Sequence, residues 1–223
     1  MPSNGAAVPV MRSGKEVEQQ GSAAHKAGYH HGDLRAALLA AAELVLAERG
    51  VEGFTLRECA RRAGVSHAAP AHHFGDVAGL LTAVAALGFE TLTLFMRQAR
   101  AGIDEPEARL RAIGRGYVTF ARQYPERFRL TFNRHRLNIA DPVLRDAGQE
   151  AFAELETAIR LVTKASDGPL ERDQLDILLQ TWSVVHGYAH LLLMGQLDGP
   201  LKGGGDAAAD AALEGVLARL TAR

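Results

Sequence analysis

Trp182, His186 and His190 follow one another at helical spacing in an apolar stretch near the C-terminus, and their side chains could do chemistry. Two histidines four residues apart share one face of a helix and can hold Zn²⁺ as a pair. No third ligand follows nearby in the sequence, so we expect no metal. A hydrogen-bonded core histidine is the favoured interpretation of His186, and direct contact with a bound ligand is the alternative.

A second group of residues that could do chemistry is basic. Arg57, Arg61 and Arg62 lie off the apolar face of a short predicted helix, where they could bind phosphate oxygens. A solvated helix surface explains the same pattern equally well. Cys59, on the apolar face, is expected to be a core residue and not a nucleophile.

The segment around these arginines has the pattern of two short helices joined by a tight turn. Thr55 is a predicted N-cap of the first helix, and Gly64 ends it. Ser66 is the predicted N-cap of a second helix over 67–73, in which Pro70 is the fourth helical residue and costs no hydrogen bond. Two such helices form a helix-turn-helix.

The second of these helices would enter the major groove of DNA, which is about 12 Å wide. Its first residues can donate to phosphates or base edges, or contact a thymine methyl. The predicted DNA-binding set is Arg57, Arg61, Arg62, Ser66, His67, Ala68, Ala69, His72 and His73, with Lys26, His30 and His31 as weaker candidates.

Apolar residues recur every three or four positions from Asp33 to the C-terminus, and no alternating, strand-like run interrupts them. The predicted fold class is therefore all-α. Predicted helices begin at Asp33, Thr55, Ser66, Asp76, Asp104, Pro125, Asp141, Arg172 and Asp206 or Asp210. We expect an N-terminal arm over 1–28, a helix-turn-helix domain over 29–75, and a helical ligand-sensing and dimerisation domain over 76–223.

The N-terminal part resembles the DNA-binding domain of the tetracycline-repressor (TetR) family. The resemblance is carried by FTLR at 54–57, ARRAGVS at 60–66, HFG at 73–75 and a leucine pair at 80–81, in the family's order and spacing. Many members carry a tyrosine and a lysine that grip the DNA backbone, where this chain has Ala71 and Val77. His72 and His73 would replace them in part, and binding would then strengthen as the imidazoles become protonated.

The C-terminal part resembles one TetR subgroup through Trp182, His186 and Gly187. This resemblance implies a homodimer formed by the last two helices and a cavity for a small molecule. Pockets of this kind are mainly apolar, so we expect an apolar or aromatic ligand. The residues predicted to line the cavity are Phe89, Phe95, Tyr117, Phe120, Phe128, Phe132, Trp182 and His186. Gly187 is expected where another helix approaches closely.

The resemblance implies a repressor that dissociates from a palindromic operator when a bound ligand displaces the helix that begins at Asp76. A ligand-binding protein that has lost operator binding is the first alternative, given Ala71, Val77 and a formal net charge of -1. An enzyme is the second, but the sequence has no phosphate loop, nucleophile elbow or cofactor motif. The sequence predicts a cytoplasmic protein for three reasons. It has a single cysteine, it does not start with a basic segment followed by an apolar leader, and charges or glycines interrupt every apolar stretch.

Overall fold

This computed structural model describes residues 31–221, which contain nine α-helices and one 3-10 turn joined by loops. No β-strand occurs within that range, which confirms the all-helical prediction. The helices are α1 His31–Arg49, α2 Leu56–Ala63, α3 Ala69–Phe74, α4 Val77–Arg100, α5 Pro106–Gln123, α6 Pro125–Thr131, α7 Pro142–Thr163, α8 Arg172–Leu193 and α9 Gly205–Thr221, with the 3-10 turn at Arg134–Arg136.

Two of the four helix starts predicted at an aspartate in the C-terminal part follow that residue, whereas α5 is capped by Glu105 and α9 begins at Gly205. Asp76 and Asp141 each accept a hydrogen bond from the backbone N–H three residues later, at 2.8 and 2.9 Å. For α5, Asp104 was predicted to cap but Glu105 does so, accepting from the N–H groups of Glu107 and Ala108. A carboxylate placed immediately before Pro106 reaches the exposed N–H groups of the first turn more directly.

Two helices end earlier than the sequence predicts. The α7 helix stops at Thr163, where Lys164 takes a left-handed backbone with φ 53°, and not at Gly168. The α8 helix stops at Leu193, shortly before Gly195 with φ 66°, and does not run to Leu197. In both cases the apolar pattern continues past the last helical hydrogen bond, because loop residues also pack on the core.

Side chains pack into two apolar clusters, and α4 contributes to both. The first cluster joins α1 and α2 to the start of α4, with Val45, Phe54, Cys59, Leu80 and Leu81 buried in it. The second fills the space between the end of α4 and the helices α5 to α9. A displacement of α4 must therefore disturb the packing around the helix-turn-helix as well as the packing of the C-terminal helices.

By length and composition, α4 is the one helix in the described range that could cross a membrane. Gly88 and Glu90 interrupt its apolar stretch, as the sequence predicted, but the mean hydropathy of the helix stays high across them. Half of its most apolar window is buried inside the protein, where it packs in both clusters. A core helix has the same composition as a membrane span because both face an apolar surrounding.

Two glycines show where helices do and do not approach closely. A Cβ atom at Gly116 of α5 would lie 2.6 Å from the Phe95 carbonyl oxygen and 2.9 Å from Met96 Cα, so α5 packs backbone to backbone on α4. A Cβ atom at Gly187 of α8 would meet nothing within 4 Å. The predicted helix contact at Gly187 is thus not made within the described residues 31–221.

Candidate DNA-binding face and ligand cavity

The turn between α2 and α3 is built by a capped start and a glycine stop. Thr55 Oγ1 accepts a hydrogen bond from the Glu58 N–H at 3.3 Å, as the capping-box spacing predicts. At the other end Gly64 has φ 68°, and the Val65 N–H donates back to the Ala60 carbonyl at 3.1 Å. This end is a Schellman-type cap, and it reverses the chain within two residues.

The α3 helix starts later than predicted. Its first residue is Ala69, its N-cap is Ala68, and Pro70 is its second helical residue. The prediction that Ser66 caps a helix beginning at His67 was wrong, because no cap hydrogen bond from a side chain is made and Ser66 stays in the turn. Proline is most compatible with the first helical positions, which explains a start immediately ahead of Pro70.

The structure leaves most of the predicted contact residues at the surface. Arg57, Ser66, His67, Ala68, Ala71 and His72 are exposed, whereas Ala69 and His73 are partly buried. Pro70 is buried and fixes α3 against the domain. The exposed residues give the turn and the start of α3 an accessible edge of small and polar side chains, as readout in a major groove requires.

Glu58 collects the arginines of α2 into one ion-pair cluster. It accepts hydrogen bonds from Arg61 at 2.8 Å, from Arg62 at 2.9 Å and from Arg49 at 3.1 Å. Arg62 also donates to Glu48 of α1 at 2.8 Å. Hydrogen bonds from Arg61 and Arg62 lower the pKa of Glu58 to about 2, so the carboxylate stays ionised.

The cluster separates the three arginines that the sequence placed together. Arg62 has a side chain only 15% exposed, and both its carboxylate partners belong to the domain, so it ties α2 to α1. Arg61 is 64% exposed despite its ion pair. Arg57 is also exposed, and it makes no ion pair with another described residue, so its charge is the most available of the three. Helical periodicity predicted that all three arginines lie off the apolar face of α2, but it could not predict which carboxylates they pair with.

The predicted N-terminal arm and its two candidates Lys26 and His30 lie outside the described residues. His31 is the first residue of α1.

A cavity of about 730 Å³ lies among α4, α5, α7, α8 and the segment that follows α6. Its volume is in the range of small-molecule sites. Five of the eight predicted residues line it: Phe89, Tyr117, Phe132, Trp182 and His186.

Phe95, Phe120 and Phe128 do not line the cavity, so these three predictions were wrong. Phe120 and Phe128 are fully buried in the second cluster. Phe95 packs edge to face on Phe120 and Tyr124, with ring centroids 6.1 and 6.0 Å apart. A buried aromatic residue faces either a neighbouring helix or a void, and helical periodicity does not distinguish the two.

Sequence reasoning missed several residues of the cavity wall. Phe152 of α7 packs edge to face on Trp182, with centroids 6.0 Å apart. Polar and charged residues join it at the wall: Arg134, Arg145, Gln149, Glu156 and Thr181. Most of them resemble ordinary helix surface in sequence, so only the way α7 crosses the cavity places them there.

Tyr117, His186 and Trp182 form a cluster of polar aromatic side chains in the cavity wall. The Tyr117 hydroxyl lies 2.7 Å from His186 Nδ1, and the Trp182 ring lies edge-on to the His186 ring with centroids 6.5 Å apart. A hydroxyl and a neutral imidazole can each donate or accept, so the tautomer of His186 decides which of the two groups donates.

Burial keeps this network neutral. Desolvation raises the pKa of the Tyr117 hydroxyl far above its ordinary value. Desolvation, followed by the nearby His190, lowers the pKa of His186. His186 is therefore the hydrogen-bonded histidine that the sequence favoured, and it also lines the cavity, as the alternative required.

The His186 and His190 rings stack, with centroids 5.3 Å apart. Within residues 31–221 no group of three histidine, cysteine or carboxylate side chains is placed to hold a metal ion. A lone stacked pair lacks the ligands that a tetrahedral site needs.

The segment after α6 joins the cavity wall to the helix-turn-helix. Arg134, Leu137 and Ile139 line the cavity. Between them, Arg136 donates to the Val51 carbonyl at 3.1 Å, in the loop that leads into α2. The Asn138 N–H donates to Thr82 Oγ1 of α4 at 2.9 Å. We call residues 134–139 the strap.

A second polar junction lies beside the strap. Arg127 of α6 donates to Glu43 of α1 and, at 2.9 Å, to Thr91 Oγ1 of α4. Its guanidinium also stacks over the Tyr124 ring at 4.7 Å. The α6 helix is thus fixed to both the N-terminal helices and α4.

Two family models match this chain in succession. Residues 38–84 match the model for bacterial regulatory proteins of the tetR family, and residues 110–216 match the tetracyclin repressor-like C-terminal domain. The chain belongs to the TetR family. TetR proteins are DNA-binding transcriptional regulators and not enzymes, so this chain is a DNA-binding regulator.

Solved structures show the same fold. A protein of unknown function from Rhodococcus sp. RHA1 is 35% identical, with 88% of this chain and 100% of that chain covered and a TM-score of 0.70. A tetR-family regulatory protein from Rhodococcus RHA1 is 20% identical over 84% and 96%, with a TM-score of 0.62. The TetR regulator PfmR from Thermus thermophilus is 17% identical over 81% and 96%, with a TM-score of 0.57. No curated protein is significantly similar to this chain.

Proposed function

We propose that this TetR regulator is a repressor, a homodimer that binds a palindromic operator and leaves it when a small molecule fills the cavity. The observation that carries the proposal is the strap, whose residues alternate between the cavity wall and contacts to α4 and the loop before α2. A cavity connected in this way to a helix-turn-helix supports a ligand-responsive regulator.

The proposed DNA contacts come from the accessible edge formed by the turn and the start of α3. His67 and Ser66 donate to phosphates or base edges, and Ala68 offers apolar contact. Arg57, together with the exposed side of Arg61, binds phosphates. In a dimer the two α3 helices would lie about 34 Å apart, one turn of DNA.

The proposed dimer interface is the outward face of α8, with α9 beside it. Leu175, Leu179, Leu191 and Met194 are large apolar side chains exposed on α8 or just past its end. Gly187 lies on the same helix with open space over its Cα. We assign this face to α8 of a second copy, because a glycine among exposed leucines lets two helices approach closely.

Ligand response in this proposal has two routes, α4 and the strap. A ligand changes the equilibrium only by binding one conformation more tightly than the other. Contacts with Phe89 of α4 and with Leu137 and Ile139 of the strap supply that difference. Because Arg136 holds the Val51 carbonyl, a movement of the strap is transmitted to the helix-turn-helix without passing along α4.

Four finer assignments belong to the same proposal. They are membership of the subgroup with Trp182, His186 and Gly187, a cytoplasmic location, the domain limits 1–28, 29–75 and 76–223, and an effector with an apolar or aromatic body. The apolar residues of the cavity wall support the last of these.

The test is a fluorescence-anisotropy titration with the protein's own upstream intergenic DNA, in the presence of nonspecific competitor. We expect specific binding that Ala68→Glu abolishes, because a carboxylate at the N-terminal end of α3 would face phosphates. Ala47→Glu is the matched control, since it places the same charge at an exposed position of α1. Equal binding by wild type and Ala68→Glu, or no specific binding by a folded dimer, would contradict the proposal and favour a protein that has lost its operator.

A further inference from the structure

The rim of the cavity carries charge that its interior lacks. Arg134 of the strap and Arg145 and Gln149 of α7 line the cavity near its opening. Ile139 and Phe152 are the exposed apolar residues of the same rim. A bound molecule would therefore meet cationic and amide donors as it leaves the apolar interior.

The positive charge at the rim is only partly neutralised. The Arg134 guanidinium makes no hydrogen bond or ion pair with any residue in the described range 31–221. Arg145 donates only to its exposed neighbour Asp146, at 3.2 Å, and keeps further donors available. The carboxylate of Glu156 is already paired with Arg160 at 2.7 Å.

The threonine hydroxyl groups of the interior already donate hydrogen bonds within their own helices, so the surface offered to a ligand there is mainly apolar. Thr131 donates to the Arg127 carbonyl and Thr181 to the Ile177 carbonyl, each at 2.8 Å on its own helix. The remaining polar group of the wall is the neutral Tyr117 and His186 pair. Nothing in the interior would compensate a charge on the ligand body.

We propose that the effector is an amphiphile with one carboxylate, whose head is bound at the rim by Arg134 and Arg145 and whose uncharged apolar body fills the cavity. This inference rests on the proposed function, in which the cavity is the effector site. An arginine with an unoccupied guanidinium matches a carboxylate in planar geometry and in charge.

Dodecanoate, methyl dodecanoate and dodecylamine are the probes for this proposal, used below their micellar concentrations. Trp182 is the only tryptophan of the chain and lines the cavity, so its fluorescence reports binding directly. We expect dodecanoate to bind at least about tenfold more tightly than the ester, and dodecylamine to bind more weakly than either. Arg134→Gln should remove most of the preference for the acid over the ester.

Arg172→Gln is the matched control, because Arg172 is an exposed α8 arginine away from the cavity, and among the described residues it pairs with Asp176 alone. Retention of the acid preference in Arg134→Gln, equal affinity for acid and ester in the wild type, or no response to any probe would each overturn the proposal. The same preparations are tested for DNA binding without probe. Loss of specific DNA binding there would refute the proposed function, whereas intact DNA binding with failed probe binding refutes only the carboxylate amphiphile.

Discussion

Replacing Gly116 by alanine tests the backbone-to-backbone contact between α4 and α5. The added Cβ would lie 2.6 and 2.9 Å from two backbone atoms of α4, and backbone cannot rotate away as a side chain can. Overpacking of this kind costs about 1–3 kcal/mol, and two backbone contacts place Gly116→Ala in the upper half of that range. Alanine regains about 1 kcal/mol of helix propensity. We therefore expect a net loss of about 1–2 kcal/mol in the free energy of unfolding.

The measurement is thermal and urea unfolding followed by circular dichroism, with all variants at one protein concentration because a dimer's stability depends on it. For a chain of this size the expected loss lowers Tm by about 2–8 °C. Gly215→Ala in α9 is the matched control, since its Cβ would meet only the flexible end of Arg219, at 3.4 Å. It should gain up to about 1 kcal/mol. A Gly116→Ala variant as stable as Gly215→Ala would refute the backbone contact between α4 and α5.

Three further predictions concern coupling, assembly and pH. Arg136→Gln should leave the DNA affinity of the ligand-free protein unchanged. It should reduce the ligand-induced change in DNA affinity about fivefold, because a hydrogen bond of about 1 kcal/mol to the Val51 carbonyl is lost. If the anisotropy response to ligand is unchanged, the strap has no part in the mechanism. Gly187→Leu should convert the dimer to a monomer in size-exclusion chromatography with light scattering, and a dimer of unchanged size would place the interface elsewhere. Burial and His190 hold the pKa of His186 below its ordinary 6.5, so the unfolded chain takes up that proton first and stability should fall as pH drops through 6.5. His186→Gln should flatten this part of the stability profile, and an equally steep profile would show that another group titrates.

The sequence predicted those parts of the molecule that depend on local backbone chemistry. The Thr55 cap, the Gly64 stop and the Asp76 and Asp141 caps are confirmed because each is decided by residues within one turn. The start of α3 was wrong for a local reason as well: Pro70 outweighed the capping preference of Ser66. Rules for caps state which residue can begin a helix, but not which of two competing signals prevails.

The cavity depended on how helices distant in sequence pack together. Aromatic residues were correctly recognised as interior, but Phe128 faces other rings and Phe132, four residues on, faces the void. Arg134 and Arg136 are two residues apart, and one lines the cavity while the other contacts the helix-turn-helix. No pattern within a single segment distinguishes these roles, because they are decided by the position of α7 and of the α1–α2 loop.

The Glu58 cluster has a consequence for how this regulator searches for its operator. Long-range attraction to DNA grows with the number of phosphates a protein neutralises, since each one releases condensed counterions. Glu58 and Glu48 already neutralise Arg62 and share the charge of Arg61 and Arg49. Arg49, Arg61 and Arg62 should therefore release fewer counterions at random DNA than three unpaired arginines would, and we expect them to add little to the salt dependence of nonspecific binding. We expect this part of the described surface to bind nonspecific sites weakly, so that selection of the operator depends on shape and base contacts.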